Sequence, residues 1–166
     1  MDKSQRTLLD TIRANLSERH KLAGIDADSL KNYLLGEMQA DIASDDDNWM
    51  SLDGMIDCIA DAHVKADILN NLLMMPGHYH HQEITRKIQN LGHPSSIPCI
   101  RTMLESGFDT LQYTCSDDEV IAKWFSHALA DIGTPESIAL IRAFASSPNE
   151  GIAAEMRYRL EQLGIS

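Results

Sequence analysis

Residues 133–164, GTPESIALIRAFASSPNEGIAAEMRYRLEQLG, constrain the fold more tightly than any other stretch of the chain. Two short apolar stripes are separated by a polar turn and closed by a glycine at each end. Ile138, Ile141 and Phe144 or Ala145 form the first stripe; Ile152, Met156, Leu160 and Leu163 form the second. Both follow the three-to-four spacing of an amphipathic helix. Thr134, Pro135 and Glu136 supply a cap, a proline at the first helical position and an early acid, and Ser147 to Glu150 repeats the device with Ser and Glu at capping-box spacing. The stretch reads as a helical hairpin.

The hairpin recurs. Gly92–Ser106 set against Gly133–Ser147 matches at seven of fifteen positions: Gly92/Gly133, Pro94/Pro135, Ser96/Ser137, Ile97/Ile138, Ile100/Ile141, Arg101/Arg142 and Ser106/Ser147. A second shift pairs Pro76 with Pro148, Glu83 with Glu155, Leu91 with Leu163 and Gly92 with Gly164. The units that result are 62–92, 93–133 and 134–164, the middle one enlarged by Phe108–Cys115. A period in this range with two helices per unit signals a helical solenoid, because no such pair buries its stripe alone. The expected fold is therefore all-α and a single domain: three helix pairs stacked as a superhelical solenoid, with residues 1–61 as a divergent helical cap.

The succession helix, turn, helix, Leu-Gly or Ile-Gly, then Thr-Pro-Glu resembles the HEAT and HEAT-like (armadillo-type) repeats across residues 62–164. That resemblance implies a scaffold or binding surface. The segment Tyr113, Thr114, Cys115, Ser116, Asp117, Asp118 with Ala122, Lys123, Trp124 and Phe125 is similar to small bacterial HEAT-like proteins linked with polymorphic toxins. There the implied role is immunity, in which the protein binds a toxin and neutralises it.

Leu, Ile, Ala and Met dominate the apolar residues while Val occurs only at 64 and 120, a balance that favours helix over strand. No apolar run is long enough to span a membrane and the N-terminus has no signal-peptide core. Cys58, Cys99 and Cys115 form no CxxC pair and fit reduced thiols, so a cytoplasmic protein is expected. The net charge of −11 is concentrated: residues 22–64 hold ten acids against Lys31 alone, a net of −9. Such a field repels nucleic acid and anionic membrane and attracts basic protein partners. A solvated face that maintains solubility accounts for the same block.

Along the N-terminal third, residues 3–20 read as a helix with Leu8, Leu9, Ile12 and Leu16 on one face. Asp26, Asp28 or Ser29 caps a second, with Leu30, Tyr33, Leu34, Met38 and Ile42 inward and Gly36 at its middle. A third carries Leu52, Met55, Ile56 and Ile59. Between the last two, Ala43–Asn48 is a charged turn. It lacks the calcium-loop pattern, because Trp49 and Met50 stand where ligands or glycine are needed.

No catalytic constellation is visible, and neither a metal nor a cofactor is expected. His78, His80, His81 and Glu83 crowd a helix start, but His80 and His81 are sequence neighbours pointing about 100° apart on a helix and do not chelate together. Ser116 to Glu119 has capping-box spacing and starts a helix from Val120 to Ile132. Arg157 and Arg159 are expected to pair with Glu155, Glu161 or Glu150. The expected function is binding without catalysis: a cytoplasmic inhibitor of a basic toxin domain that acts by occluding its active site. An adaptor scaffold on the same fold is the alternative, with a HEAT-like lyase third. The candidate partner-binding residues are the acidic turn Asp45, Asp46 and Asp47 with Trp49, the repeat-edge residues His80, Tyr113 and Asp117, and the pair Lys123 and Trp124. For both tryptophans, core packing competes with a binding role.

Overall fold

The computed structural model describes residues 1–165 and is all-helical, with no strand among the described residues. The α-helices are α1 (Lys3–Ala14), α2 (Ala27–Ser44), α3 (Trp49–Asp57), α4 (Ala62–Met74), α5 (His81–Leu91), α6 (Ile97–Glu105), α7 (Asp118–Ile132), α8 (Pro135–Phe144) and α9 (Glu150–Gln162). Short 3-10 segments cover Leu16–Gly24, Pro94–Ser96 and Asp109–Thr114. Among the described residues no helix is long and apolar enough to cross a membrane. The chain divides into two compact units within the last turn of α4: Met1–Leu72, and the residues from Leu73 onward. That boundary falls inside the segment expected as the first repeat.

In the first unit α1 stops at Ala14, short of the expected residue 20. Asn15 turns extended at φ −146°, and its side-chain oxygen accepts the Ser17 N–H at 3.1 Å, opening the 3-10 segment. Asn favours such local bonds over continuing a helix. Leu9 and Ile12 are fully buried, while Leu16 leaves their row and packs on α3, where a Cβ added to Gly54 would lie 2.8 Å from its Cδ1. Asp26 caps α2 by accepting the Ser29 N–H at 2.8 Å. The helix runs through Gly36 and buries Leu30, Tyr33, Leu34 and Met38 as its stripe predicts. Asp41 is buried as well, and Ile42 only half so.

The second unit is organised around α7, which packs against α5, α6, α8 and α9. Ile121, Ala122, Phe125, Ser126, Ala128 and Leu129 are all fully buried, a width no one-sided stripe would need. The matching glycines have a common physical cause. Gly92 closes α5 at φ +60° and Gly133 closes α7 at φ +65°, left-handed positions that cost glycine nothing. The repeat register also holds at Ser96/Ser137 and Ile100/Ile141, all fully buried. The insertion Phe108–Cys115 adds Phe108 and Leu111 to the core: Phe108 is buried and stacks on Phe125 with centroids 5.6 Å apart, despite taking φ +65°.

Several expectations fail in detail here. Ile138 is half-buried and Leu140 takes its inward place; Leu160 is half-buried and Leu163 exposed. Helix α9 is turned so that Ile152, Ala153, Glu155, Met156 and Arg159 face inward. Two causes are visible. Glu155 and Arg159 find polar partners on α7, and Gly151 lets the start of α9 meet the start of α7 backbone to backbone. The cap of α9 is Asn149, whose side chain accepts the Ile152 N–H at 3.1 Å, whereas the Ser147 hydroxyl only accepts the Asn149 N–H at 3.2 Å. Helix α7 starts at Asp118, two residues before the expected Val120, with Asp117 at its N-cap position.

A Cβ at Gly151 would sit 2.8 Å from the Glu119 backbone nitrogen, which cannot swing away as a side chain does. Gly151→Ala is therefore expected to destabilise the protein on balance. Overpacking costs roughly 1–3 kcal/mol and outweighs the helix propensity gained, at most about 1 kcal/mol. Urea unfolding of the two proteins measures the difference.

Candidate functional site

The candidate residues fall into separate groups: Asp45, Asp46, Asp47 and Trp49 belong to the first unit, and His80, Tyr113, Asp117, Lys123 and Trp124 to the second. The turn between α2 and α3 holds Asp45, Asp46 and Asp47 exposed to solvent. Each also has a local duty. Asp45 ends α2 in the left-handed conformation at φ +57°, Asp46 accepts the Ser44 hydroxyl at 2.9 Å, and Asp47 accepts the Trp49 N–H at 3.2 Å. Trp49 is buried at the start of α3, 8% exposed.

Not every acid of the 22–64 block reaches solvent. Glu37 pairs with both Arg6 and Arg13 of α1. The buried Asp41 accepts the Asn48 amide at 2.9 Å, and its other oxygen lies 3.9 Å from Arg13. These two carboxylates dock α1 on α2, so the outward acidic surface is narrower than the residue count suggests.

The histidines before α5 form a packed cluster. His81 is 1% exposed and stacks on His78 with centroids 4.0 Å apart. Its Nε2 lies 3.1 Å from the Met75 carbonyl, which only accepts, so the ring proton sits there. Nδ1 is left to accept the Tyr113 hydroxyl at 2.9 Å. The imidazole is thus held neutral, and burial, with the neighbouring His78 and His80 rings, brings its pKa down to about 4. Tyr113 is half-buried and meets the exposed Tyr79 edge-on at 5.3 Å; its own hydroxyl pKa is pushed up by burial. His80 stands half-buried at the N-cap position of α5, its N–H donating to His78 Nδ1 at 3.1 Å. No group of three or more His, Cys, Asp or Glu side chains among the described residues has the geometry of a metal site.

Lys123 and Trp124 come together in a groove of about 270 Å³ between α5 and α7. Helix α5 contributes Gln82, Thr85, Arg86 and Gln89; α7 contributes Val120, Lys123, Trp124 and His127. Asp117, exposed at the head of α7, lies outside this lining. Neither Arg86 nor His127 belongs to a recognisable motif in the sequence.

Behind the groove lies a buried polar network. Arg159 donates to Glu155 at 3.0 Å, to the Ser126 hydroxyl at 3.2 Å and to His127 Nε2 at 2.9 Å. Ser126 in turn donates to Glu155 at 2.5 Å. Because Arg159 only donates, His127 Nε2 accepts, which places the proton of the neutral ring on Nδ1. Burial lowers the His127 pKa, and the Arg159 charge lowers it further. The pairing of Arg159 with Glu155, and of Arg157 with Glu150 at 2.5 Å, matches the expected choices. The burial of the first pair does not, because charged residues beside an apolar stripe read as solvated.

Comparison with known protein families, curated proteins and solved structures returns no match. Function is therefore argued from the chain's own residues.

The neutral His81 links stability to pH. Its folded pKa lies below the 6.5 of a free imidazole, so its contribution is complete above pH 6.5 and is lost as pH falls toward 4. The loss amounts to roughly 3 kcal/mol. Thermal melts should show the midpoint falling across that window, and His81→Gln should flatten the slope, leaving the smaller contribution of His127, which has the same sign. An unchanged slope in the variant would assign the effect to other groups.

Proposed function

We propose that this chain is a non-catalytic protein-binding module that neutralises a basic bacterial toxin domain by covering its active site. The observation that carries the proposal is the outward presentation of Asp45, Asp46 and Asp47. Three consecutive carboxylates stand exposed on a turn that begins at the left-handed C-cap of α2 and ends where Asp47 accepts the Trp49 N–H. Fixed charges complementary to a basic cleft accelerate encounter and suppress wrong partners without paying to order a loop. The resemblance to HEAT-like immunity proteins supports the same reading. So does the order of contacts in the second unit, where α5, α7 and α9 follow one another in one series and α6 meets α8 in another, as stacked helix pairs of a solenoid would. The cytoplasm is the compartment in which such an inhibitor and its three cysteines, none of them in a disulfide among the described residues, belong.

Copurification from the native host, followed by identification of the captured protein, supplies the partner. The caps dictate the variant: lysine at 45 or 47 would remove a left-handed cap and a capping oxygen, whereas asparagine keeps both functions and removes the charge. The triple variant Asp45→Asn, Asp46→Asn and Asp47→Asn should melt near the wild-type temperature. Its association with the captured partner should slow by about tenfold at low salt, and the gap should narrow as salt screens the field. Wild-type association at every salt concentration would reduce the turn to a solvated face.

A further inference from the structure

The groove between α5 and α7 has a charge opposite to that of the protein around it. The chain carries a net −11, yet none of the side chains lining the groove is a carboxylate, and Arg86 and Lys123 both are cationic. Neither of these takes part in an ion pair among the described residues. Of the acids near the groove, Glu83 and Glu119 are exposed one helical turn from Arg86 and Lys123 and lie outside the lining. Asp131 accepts the Gln89 amide at 2.7 Å, and Glu155 is held behind the wall by Arg159 and Ser126. Trp124, half-buried, shares the lining with the two cations, and His127 is fixed by Arg159 into the tautomer that carries its proton on Nδ1. Cations left without partners in an acidic protein, next to an indole face, make a site for an anion attached to an apolar group.

We infer that this groove binds a short acidic segment of a protein, with a carboxylate side chain held by Arg86 and Lys123 and a neighbouring apolar or aromatic side chain laid on Trp124.

The elongated shape of the groove favours a peptide over a drug-sized molecule. A volume of about 270 Å³ is below the range of pockets that enclose drug-sized ligands. The lining runs from residue 82 to 89 on one helix and from 120 to 127 on the other, a trough about 10 Å long at the helical rise. About three residues of extended chain fill that length. Gln82 offers an amide that can both donate to and accept from the backbone of such a segment. A nucleic acid has the right sign of charge in its phosphates, but each further nucleotide would meet the negative field of the whole chain. The inference does not rest on the toxin reading, whose carrying observation, the Asp45–Asp47 turn, belongs to the other unit.

The test uses the full chain with nitrogen-15 in its indoles. Only Trp49 and Trp124 contribute indole signals. Trp124→Phe assigns them, and the buried Trp49 reports on the fold. The probe is an acetylated and amidated pentapeptide of two glutamates flanking one phenylalanine, closed by glycines. Its controls are the same peptide with glutamines and a pentathymidylate. The acidic peptide should move the Trp124 signal and leave Trp49 in place, the glutamine peptide should bind at least about tenfold more weakly, and Arg86→Gln with Lys123→Gln should lose a similar factor with Trp49 unshifted. A Trp124 signal unmoved by the acidic peptide up to about 1 mM would overturn the inference. Equal binding of the two peptides, or undiminished binding by the double variant, would overturn it too. A shift caused by pentathymidylate alone would make the groove a phosphate site, which is equally contrary.

Discussion

The buried ion pair between Glu155 and Arg159 is the interaction on which the second unit depends. Burying two charges costs several kcal/mol each and is recovered only if every donor and acceptor is satisfied (roughly break-even at best). Here Arg159 is matched to Glu155, Ser126 and His127, and Ser126 completes the circuit to Glu155. The network therefore does more to fix position than to add net stability. It sets the rotation of α9 against α7, leaves Leu160 half-buried and Leu163 exposed, and holds the ring of His127 in the groove wall. Gly151 completes the constraint from the other end by allowing the starts of α7 and α9 to touch.

With α7 fixed in this way, its remaining faces follow. Phe125 receives Phe108 from the insertion, and the face toward α5 carries Lys123, Trp124 and His127 opposite Arg86. A groove lined by cations thus arises on a strongly acidic chain from the same helix that supplies the core. The first unit reaches the opposite result by related means. Arg6 and Arg13 neutralise Glu37, and Arg13 approaches Asp41, so basic residues are spent on docking α1 to α2 while the turn at Asp45–Asp47 keeps its carboxylates outward.

Much of the fold is legible in the sequence where the cause is local. Gly92 and Gly133 mark left-handed helix ends, Thr134 and Asp26 mark helix starts, and the stripe Leu30, Tyr33, Leu34, Met38 gives the buried face of α2. Legibility ends where a tertiary partner overrides a local preference. The α9 stripe is misplaced because Glu155 and Arg159 count as solvent-facing until α7 supplies Ser126 and His127. The helix expected over residues 3–20 breaks at Asn15, whose side chain prefers Ser17, and Leu16 then finds Gly54. Of the candidate site, Lys123 and Trp124 stand side by side in the sequence, where core packing of Trp124 competes with a binding role, and Arg86 and His127 join them only through the packing of α5 on α7, which no spacing along the chain encodes.

Unfolding free energies of Glu155→Leu, Arg159→Met and the combined variant test the central claim most directly. If the pair fixes α9 on α7, each single change strands a buried charge and costs roughly 3–5 kcal/mol, while the double change recovers most of that loss. The residue left unrecovered is the cost of the Ser126 and His127 groups that lose their partner. Single changes that each cost less than about 1 kcal/mol and add in the double variant would show two solvated charges, and the account of α9 and the groove wall would fail.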